Sequence, residues 1–279
     1  SFTYFLAFSR LAPVQITSWG HPDSTGIPNI DYFISSRDLE VETGDDHYSE
    51  TLVRLKNPPS YYYRPEIPEG HNAPTTYGLP SDAHIYLCPQ TLFKFHPDFD
   101  TILGKILKND PLGHLLLISG RFKSEERLLL DRFKKTFPDA INRVTFLTRM
   151  PKDDFLRVVR MSHVVLDPIF FSGGNSTAET LSMGVPIVTW PDIYLRDRVT
   201  YSFFKTMGID ELIASSAEEY IMLANKLAND KEFHAEMSGL IKKSSEKFFE
   251  NSETVEELGR FMVAAIEASR EGGNHVSWN

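Results

Sequence analysis

Cysteine is almost missing: Cys88 is the single one in 279 residues. An intrachain disulfide and a thiolate metal site are therefore excluded, and a reducing, cytoplasmic setting fits. Long apolar runs are missing as well, since none approaches the ~20 residues needed to span a bilayer. The apolar opening Ser1 to Ser9 lacks the basic start and cleavage pattern of a signal peptide. It begins without Met, so an internal start within a longer protein is expected. An excess of basic charge is missing too: 29 Lys and Arg face 38 Asp and Glu, for a net charge of -9. That speaks against broad nucleic-acid binding and against a polybasic membrane surface. It leaves room for a local basic pocket around one phosphate ligand. The histidines show no pairing at metal-ligand spacing, and neither HExxH nor GxSxG occurs.

What is present is ordinary globular material, with 41% hydrophobic and 24% charged residues and 20 Phe. At about 150 residues per domain the chain holds one large domain or two smaller ones. Texture divides it near residue 72. Segment 1–72 is rich in turn signals, among them Gly20-His21-Pro22-Asp23 and Pro58-Pro59. Its short strand candidates are Val14–Thr17, Tyr32–Ile34 and Thr51–Leu55, too few to enclose a core. From 73 to 270 apolar runs alternate with helical periods. Strands are expected at Ala83–Cys88, His114–Ile118, Val144–Leu147, Val164–Asp167 and Pro186–Trp190. Helices are expected at Asp98–Lys108, Ser124–Phe137 with Ser124 as N-cap, Lys152–Met161 after Pro151, and Thr177–Met183 stopped by Gly184. Ser216 and Glu219 read as a capping box, followed by helices centred near Leu223, Phe248 and Phe261. Gly272–Asn279, within the tail 271–279, should be loose. Single helices between apolar strands predict an α/β fold, a Rossmann-like parallel sheet covered on both faces.

Three strand-to-helix loops are candidates for chemistry, because ligands of open α/β sheets bind outside the C-terminal strand ends. In Asp167-Pro168-Ile169-Phe170-Phe171-Ser172-Gly173-Gly174-Asn175-Ser176-Thr177-Ala178-Glu179, a buried strand runs into a Gly-Gly turn that opens a helix. Gly173 and Gly174 allow close approach of a phosphate, and the helix start offers unpaired N–H groups and a positive dipole end. Ser176 and Thr177 add hydroxyls, and Glu179 could accept from a ribose diol. The same spacing also suits a plain turn capped by Asn175 or Ser176. The second loop, Pro89-Gln90-Thr91-Leu92-Phe93-Lys94, carries a lone cation suited to a diphosphate, although a surface lysine before a helix would read the same. The third is Thr148-Arg149-Met150-Pro151-Lys152, equally readable as a Pro-started helix. His21 is the most suggestive histidine, and Tyr61–Tyr63 reads better as packing under a loop than as a platform.

Taken in order, Ala12-Pro13-Val14-Gln15, Gly20-His21-Pro22-Asp23-Ser24-Thr25-Gly26, Ile30-Asp31-Tyr32, Leu92-Phe93-Lys94, Gly173–Thr177, Gly184–Thr189 and Arg198 resemble the O-GlcNAc transferase-like glycosyltransferases. The resemblance runs from about Leu11 to Ala265. It implies the C-terminal half of a GT-B fold, with only the tail of the N-terminal half present in 1–72. It implies a UDP-sugar donor, UDP-GlcNAc or UDP-glucose, a protein Ser/Thr or Asn acceptor, and no metal or other cofactor. By position Lys94 would stabilise the UDP leaving group, with Gln90 or Thr91 beside it. Met150 and Lys152 fall where the family holds uracil, and Phe155 where some members place a uracil-stacking His. Ser176 and Thr177 match a phosphate-binding hydroxyl pair. Asn175 replaces the His common in eukaryotic members. Thr180 replaces their ribose-binding Asp, a role that passes to Glu179. His21, where some members have Tyr, and Arg198 fall on the acceptor or donor side. The rival readings are a nucleotide-binding module without turnover and another GT-B enzyme such as a UDP-GlcNAc 2-epimerase.

Overall fold

Short apolar runs that bury both faces have one stable arrangement, a parallel sheet between helices, and the chain adopts it. The structure, a computed structural model, describes residues 2–272 and 275–278. After a five-residue helix α1 (Phe2–Leu6), strands β1 (Ile16–Ser18), β2 (Tyr32–Ser36) and β3 (Thr51–Leu55) pair in parallel as a first sheet in that order. The second sheet holds β4 (His84–Cys88), β5 (Gly113–Ile118), β6 (Val144–Leu147), β7 (Val164–Leu166) and β8 (Ile187–Val188). All its pairings are parallel and the order is β6-β5-β4-β7-β8. The direction of winding reverses between β4 and β7. That is the place where neighbouring crossover helices leave a crevice at the C-terminal strand ends.

Helix α2 (Pro97–Asn109) buries Phe99, Ile102, Leu103, Ile106 and Leu107, the face its spacing demands, and the His96 ring accepts from Asp98 N at its start. Next come α3 (Lys123–Thr136), α4 (Lys152–Met161), α5 (Asn175–Ser182), α6 (Val199–Met207), α7 (Ala217–Asn229), α8 (Lys231–Ser244) and α9 (Ser252–Arg270). Several local expectations shift. Ser124 lies inside α3, and the cap position belongs to Phe122, whose N–H goes to Glu125. Helix α5 starts two residues earlier than its period suggested. Ser216 does cap α7, but Glu219 returns to Ser215 instead of Ser216, so the reciprocal box is absent. Phe248 lies beyond α8, following a 3-10 turn at Ser245–Lys247, because it packs against the rings of Tyr62 and Phe203.

Both faces of the first sheet are covered by later parts of the chain. Tyr32, Ile34, Val53 and Leu55 form one cluster with Phe261 and Ala265 of α9, while Phe33 and Leu52 enter the main core. Alternation along a strand produces this split. The described end of the chain is not loose: Trp278 packs on Phe261, and its carbonyl accepts from Arg54 N at 3.0 Å. Residues 273, 274 and 279 of the expected loose tail lie outside the described residues. Among the described residues no helix is long and apolar enough to cross a membrane.

Candidate functional site

The loops after β4 and β7 meet at the crevice. Lys94 rises from a 3-10 turn, Leu92–Lys94, and its ammonium donates to Gln90 Oε1 at 3.0 Å and to Ser172 O at 2.7 Å. It also stands 4.4 Å from the centre of the Phe171 ring. Gln90 uses its other end, Nε2, to donate to Ser176 Oγ at 2.6 Å. One buried amide thus joins the lysine to the start of α5. No side-chain hydrogen bond caps α5 at Gly174, so its first turn keeps N–H groups and the positive end of its dipole for a ligand. Two positive features converge on one small region, with Glu179 the acidic side chain on its wall.

They line a cleft of about 560 Å³. By residue type its lining divides into the polar groups of Gln90, Thr91, Lys94, Asn175, Ser176 and the Gly174 backbone, and the apolar side chains of Pro89, Ile118, Met150 and Phe155, with Arg149 and Glu179 also on the wall. A nucleotide-sized ligand needs this division: donors for a charged group and apolar surface for a flat ring. Lys152 faces a neighbouring cavity of about 270 Å³ instead, with Tyr61, Tyr62, Tyr63 and Phe249. Asn175 and Glu179 line both spaces. Burial raises the Glu179 carboxyl above its usual range, and Lys152 opposes that shift.

Not every residue singled out in the sequence reaches the cleft. Thr177 is buried and its hydroxyl lies 3.1 Å from Thr200 Oγ1, so it turns into the core instead of toward a phosphate. Gly173 is buried as well, and a Cβ there would meet Thr177 Oγ1 at 2.4 Å and Gln90 Nε2 at 2.5 Å. The Thr180 hydroxyl is taken by Ser176 O at 2.7 Å. Arg198 donates to the carbonyls of Asp38 and Asp192 and lies over Tyr201, and it does not line the cleft. The exposed His21 ring bonds to Asp23 O at 2.6 Å and does not line it either. Its neighbour Trp19 comes closer, within 3.9 Å of where a Gly174 Cβ would sit.

The supporting polar network escaped the motif reading. Asp167 directly follows β7, is 3% exposed, and accepts from Ser172 Oγ at 2.6 Å, Gly173 N at 2.7 Å and Thr189 Oγ1 at 2.8 Å. A carboxylate closing an otherwise apolar strand was the available signal. Burial lowers the affinity of Lys94 for its proton, and the charge of Asp167 pulls the other way. Tyr62, read as simple packing, does pack on Phe203 and Phe248, but its hydroxyl also donates to Asn175 Oδ1 at 3.2 Å. Among the described residues no group of three or more His, Cys, Asp or Glu is placed to hold a metal ion.

This arrangement has relatives. Residues 71–257 match the family described as Glycosyl transferase family 41. The chain is 28% identical over 227 residues to a probable UDP-N-acetylglucosamine–peptide N-acetylglucosaminyltransferase SPINDLY of Petunia hybrida, covering 79% of this chain and 24% of that protein. A probable enzyme of the same description, SEC of Arabidopsis thaliana, is 28% identical over 229 residues, with 79% and 23% covered. The chain therefore spans about a quarter of the length of these curated relatives. Among solved structures, a mutant of the Thermobaculum terrenum O-GlcNAc transferase superposes with a TM-score of 0.76 at 27% identity, over 96% of this chain and 50% of that one. Sucrose-phosphate synthase from Thermosynechococcus elongatus, at 16% identity and a TM-score of 0.58 over 86% of this chain and 59% of its own, shares the fold. The second sheet and its helices are the C-terminal half of a GT-B fold, the family match covers more than half of the sequence, and the chain belongs to glycosyl transferase family 41.

Proposed function

We propose that this chain forms the nucleotide-sugar-binding half of an inverting glycosyltransferase that moves a sugar, GlcNAc or glucose, from UDP to a Ser, Thr or Asn side chain of a protein. The observation that carries this is the Gln90 amide tying the Lys94 ammonium to Ser176 at the uncapped start of α5. In the reaction the acceptor atom gives up its proton to a base or to solvent and bonds to the anomeric carbon as the bond from that carbon to the β-phosphate oxygen breaks. The electron pair of the broken bond goes to UDP, and negative charge grows on the β-phosphate. Lys94 and the α5 dipole meet that charge where it develops. The uracil ring lies against Met150 and Phe155, and Glu179 accepts from the ribose. Lys94 and the helix dipole offset the diphosphate without a metal ion. An upstream N-terminal half supplies the rest of the cleft, in keeping with the 50% of the bacterial O-GlcNAc transferase chain that this one covers. The buried single Cys88 fits a cytoplasmic setting.

Calorimetry with UDP tests this. A charged hydrogen bond contributes about 1.5–3 kcal/mol, so Lys94→Ala should bind UDP roughly 10- to 100-fold more weakly with an unchanged circular-dichroism spectrum. EDTA should leave wild-type affinity as it is. Equal UDP affinity in wild type and Lys94→Ala would overturn the assignment. Joined to its upstream region, the chain should transfer sugar from UDP-GlcNAc or UDP-glucose to protein. Release of free sugar or its epimer alone would point to another GT-B chemistry.

A further inference from the structure

We infer that Asp167 is a positioning residue for the diphosphate site, holding the 172–173 turn in place and keeping a fixed negative charge behind the Lys94 ammonium. It rests on diphosphate binding at Lys94. Asp167 never touches the cleft. It acts through Ser172, whose hydroxyl donates to the carboxylate at 2.6 Å while its carbonyl accepts from Lys94 Nζ at 2.7 Å. The other carboxylate oxygen takes the Gly173 N–H at 2.7 Å. Those two bonds fix the residues just before α5, and thereby the direction in which its first turn faces.

The surroundings of the carboxylate are built to hold it in one geometry. Thr189 at the end of β8 donates to it at 2.8 Å, and Ser172 Oγ is held in turn by Thr200 N at 3.0 Å and Thr200 Oγ1 at 2.8 Å. Tyr220 of α7 donates to the Asp167 carbonyl at 2.9 Å. Elements β7, β8, α6 and α7 thus converge on one residue. The charged and titratable groups that face Lys94 are Asp167 and Cys88. Cys88 is buried, and burial pushes its thiol far up; burial pushes the Asp167 carboxyl up as well, but the hydrogen bonds from Ser172, Gly173 N, Thr189 and Thr200 favour its ionised form, which makes Asp167 the group able to act as counter-charge. Desolvation lowers the affinity of Lys94 for its proton, and an opposite charge nearby opposes that tendency without cancelling it.

The test is UDP affinity by calorimetry from pH 7 to pH 10 for wild type, Asp167→Asn and Asp167→Ser. Asn keeps the shape, and Ser leaves room for a water to take the Gly173 N–H. Uracil ionisation is common to all three and cancels in the comparison. Loss of the counter-charge should move the alkaline fall in affinity to lower pH, so that the variants fall further behind wild type at pH 9 than at pH 7. Lys94→Arg, whose guanidinium does not deprotonate in this range, should abolish that pH-dependent difference when combined with Asp167→Asn. A uniform loss of affinity across the pH range would mean that Asp167 is merely structural, and wild-type affinity in folded variants would mean that it does nothing. Either result overturns the inference. Failure of the wild-type chain to bind UDP would instead remove the diphosphate site itself.

Discussion

Gln90 donates from its side-chain amide to the Ser176 hydroxyl at 2.6 Å, across 86 residues of sequence. The same amide receives Lys94, so the β4 loop and the α5 helix start are fixed relative to each other before any ligand arrives. Preorganised donors of this kind cost little reorganisation when charge develops.

Gln90→Leu keeps the approximate volume and removes both bonds. Lys94 then loses an acceptor and Ser176 a donor in a half-buried place. UDP affinity should fall roughly fivefold to thirtyfold, about 1–2 kcal/mol, with the melting temperature little changed. An unaltered dissociation constant would show that the bridge is not needed to hold the site.

Gly173→Ala places a methyl group 2.4 Å from Thr177 Oγ1 and 2.5 Å from Gln90 Nε2. Neither neighbour is free to give way: Thr177 is packed on Thr200, and Gln90 is tied at both ends. The expected cost is about 1–3 kcal/mol of stability, as for overpacked cores, together with weaker UDP binding. Urea denaturation and calorimetry on the same sample separate the two effects.

His163, at the opposite end of the second sheet, should make stability sensitive to acid. Its Nδ1 accepts from Ile85 N at 3.0 Å, and its ring lies 5.3 Å from that of His84 and 6.5 Å from that of His234. Burial, then repulsion from His84 and His234, push its proton affinity down to about 4. The folded state therefore refuses a proton that the unfolded chain accepts below the ordinary value of about 6.5. Stability should fall as pH drops from about 6.5 toward about 4. His163→Gln, whose amide oxygen can take the Ile85 N–H, should show a smaller loss between pH 7 and pH 5 in chemical denaturation. An identical slope would place the acid sensitivity elsewhere.

Trp278→Ala removes the ring that covers Phe261 and is held to Glu257 by its Nε1. The lost apolar contact should cost roughly 1–2 kcal/mol for a partly buried ring, and thermal unfolding would register it. No change in melting temperature would mean that the chain end contributes nothing to the first sheet.

Much of the second sheet could be read from the chain alone because each element carries its own period. Ile85–Cys88, Leu115–Leu117 and Val164–Leu166 are apolar on both faces, as central parallel strands must be. Gly184 ends its helix turn at φ +71°, a conformation that glycine adopts freely. Element ends were less legible. Ser124 has the right chemistry for a cap, yet the cap position falls two residues earlier at Phe122, and Glu219 takes its bond from Ser215 instead of Ser216, since shifts of one or two residues cost little locally.

At the site, Gln90, Lys94, Asn175 and Ser176 were visible as loop residues after apolar strands, and the strand order brings them together. Thr177 was visible for the same reason but turns inward, because the helical advance carries successive side chains to different sides. Asp167 and Thr189 gave little local sign of acting together.

The amino-acid order by itself set which stretches become strands or helices and which loops carry chemistry, because burial and backbone preference act over a few neighbouring residues. Only the tertiary structure decided that β4 and β7 lie side by side, that α9 returns to cover Tyr32 and Ile34, and that Ser172 links Asp167 to Lys94. Those outcomes depend on which apolar faces fit one another across long separations, and local periodicity holds no record of that fit.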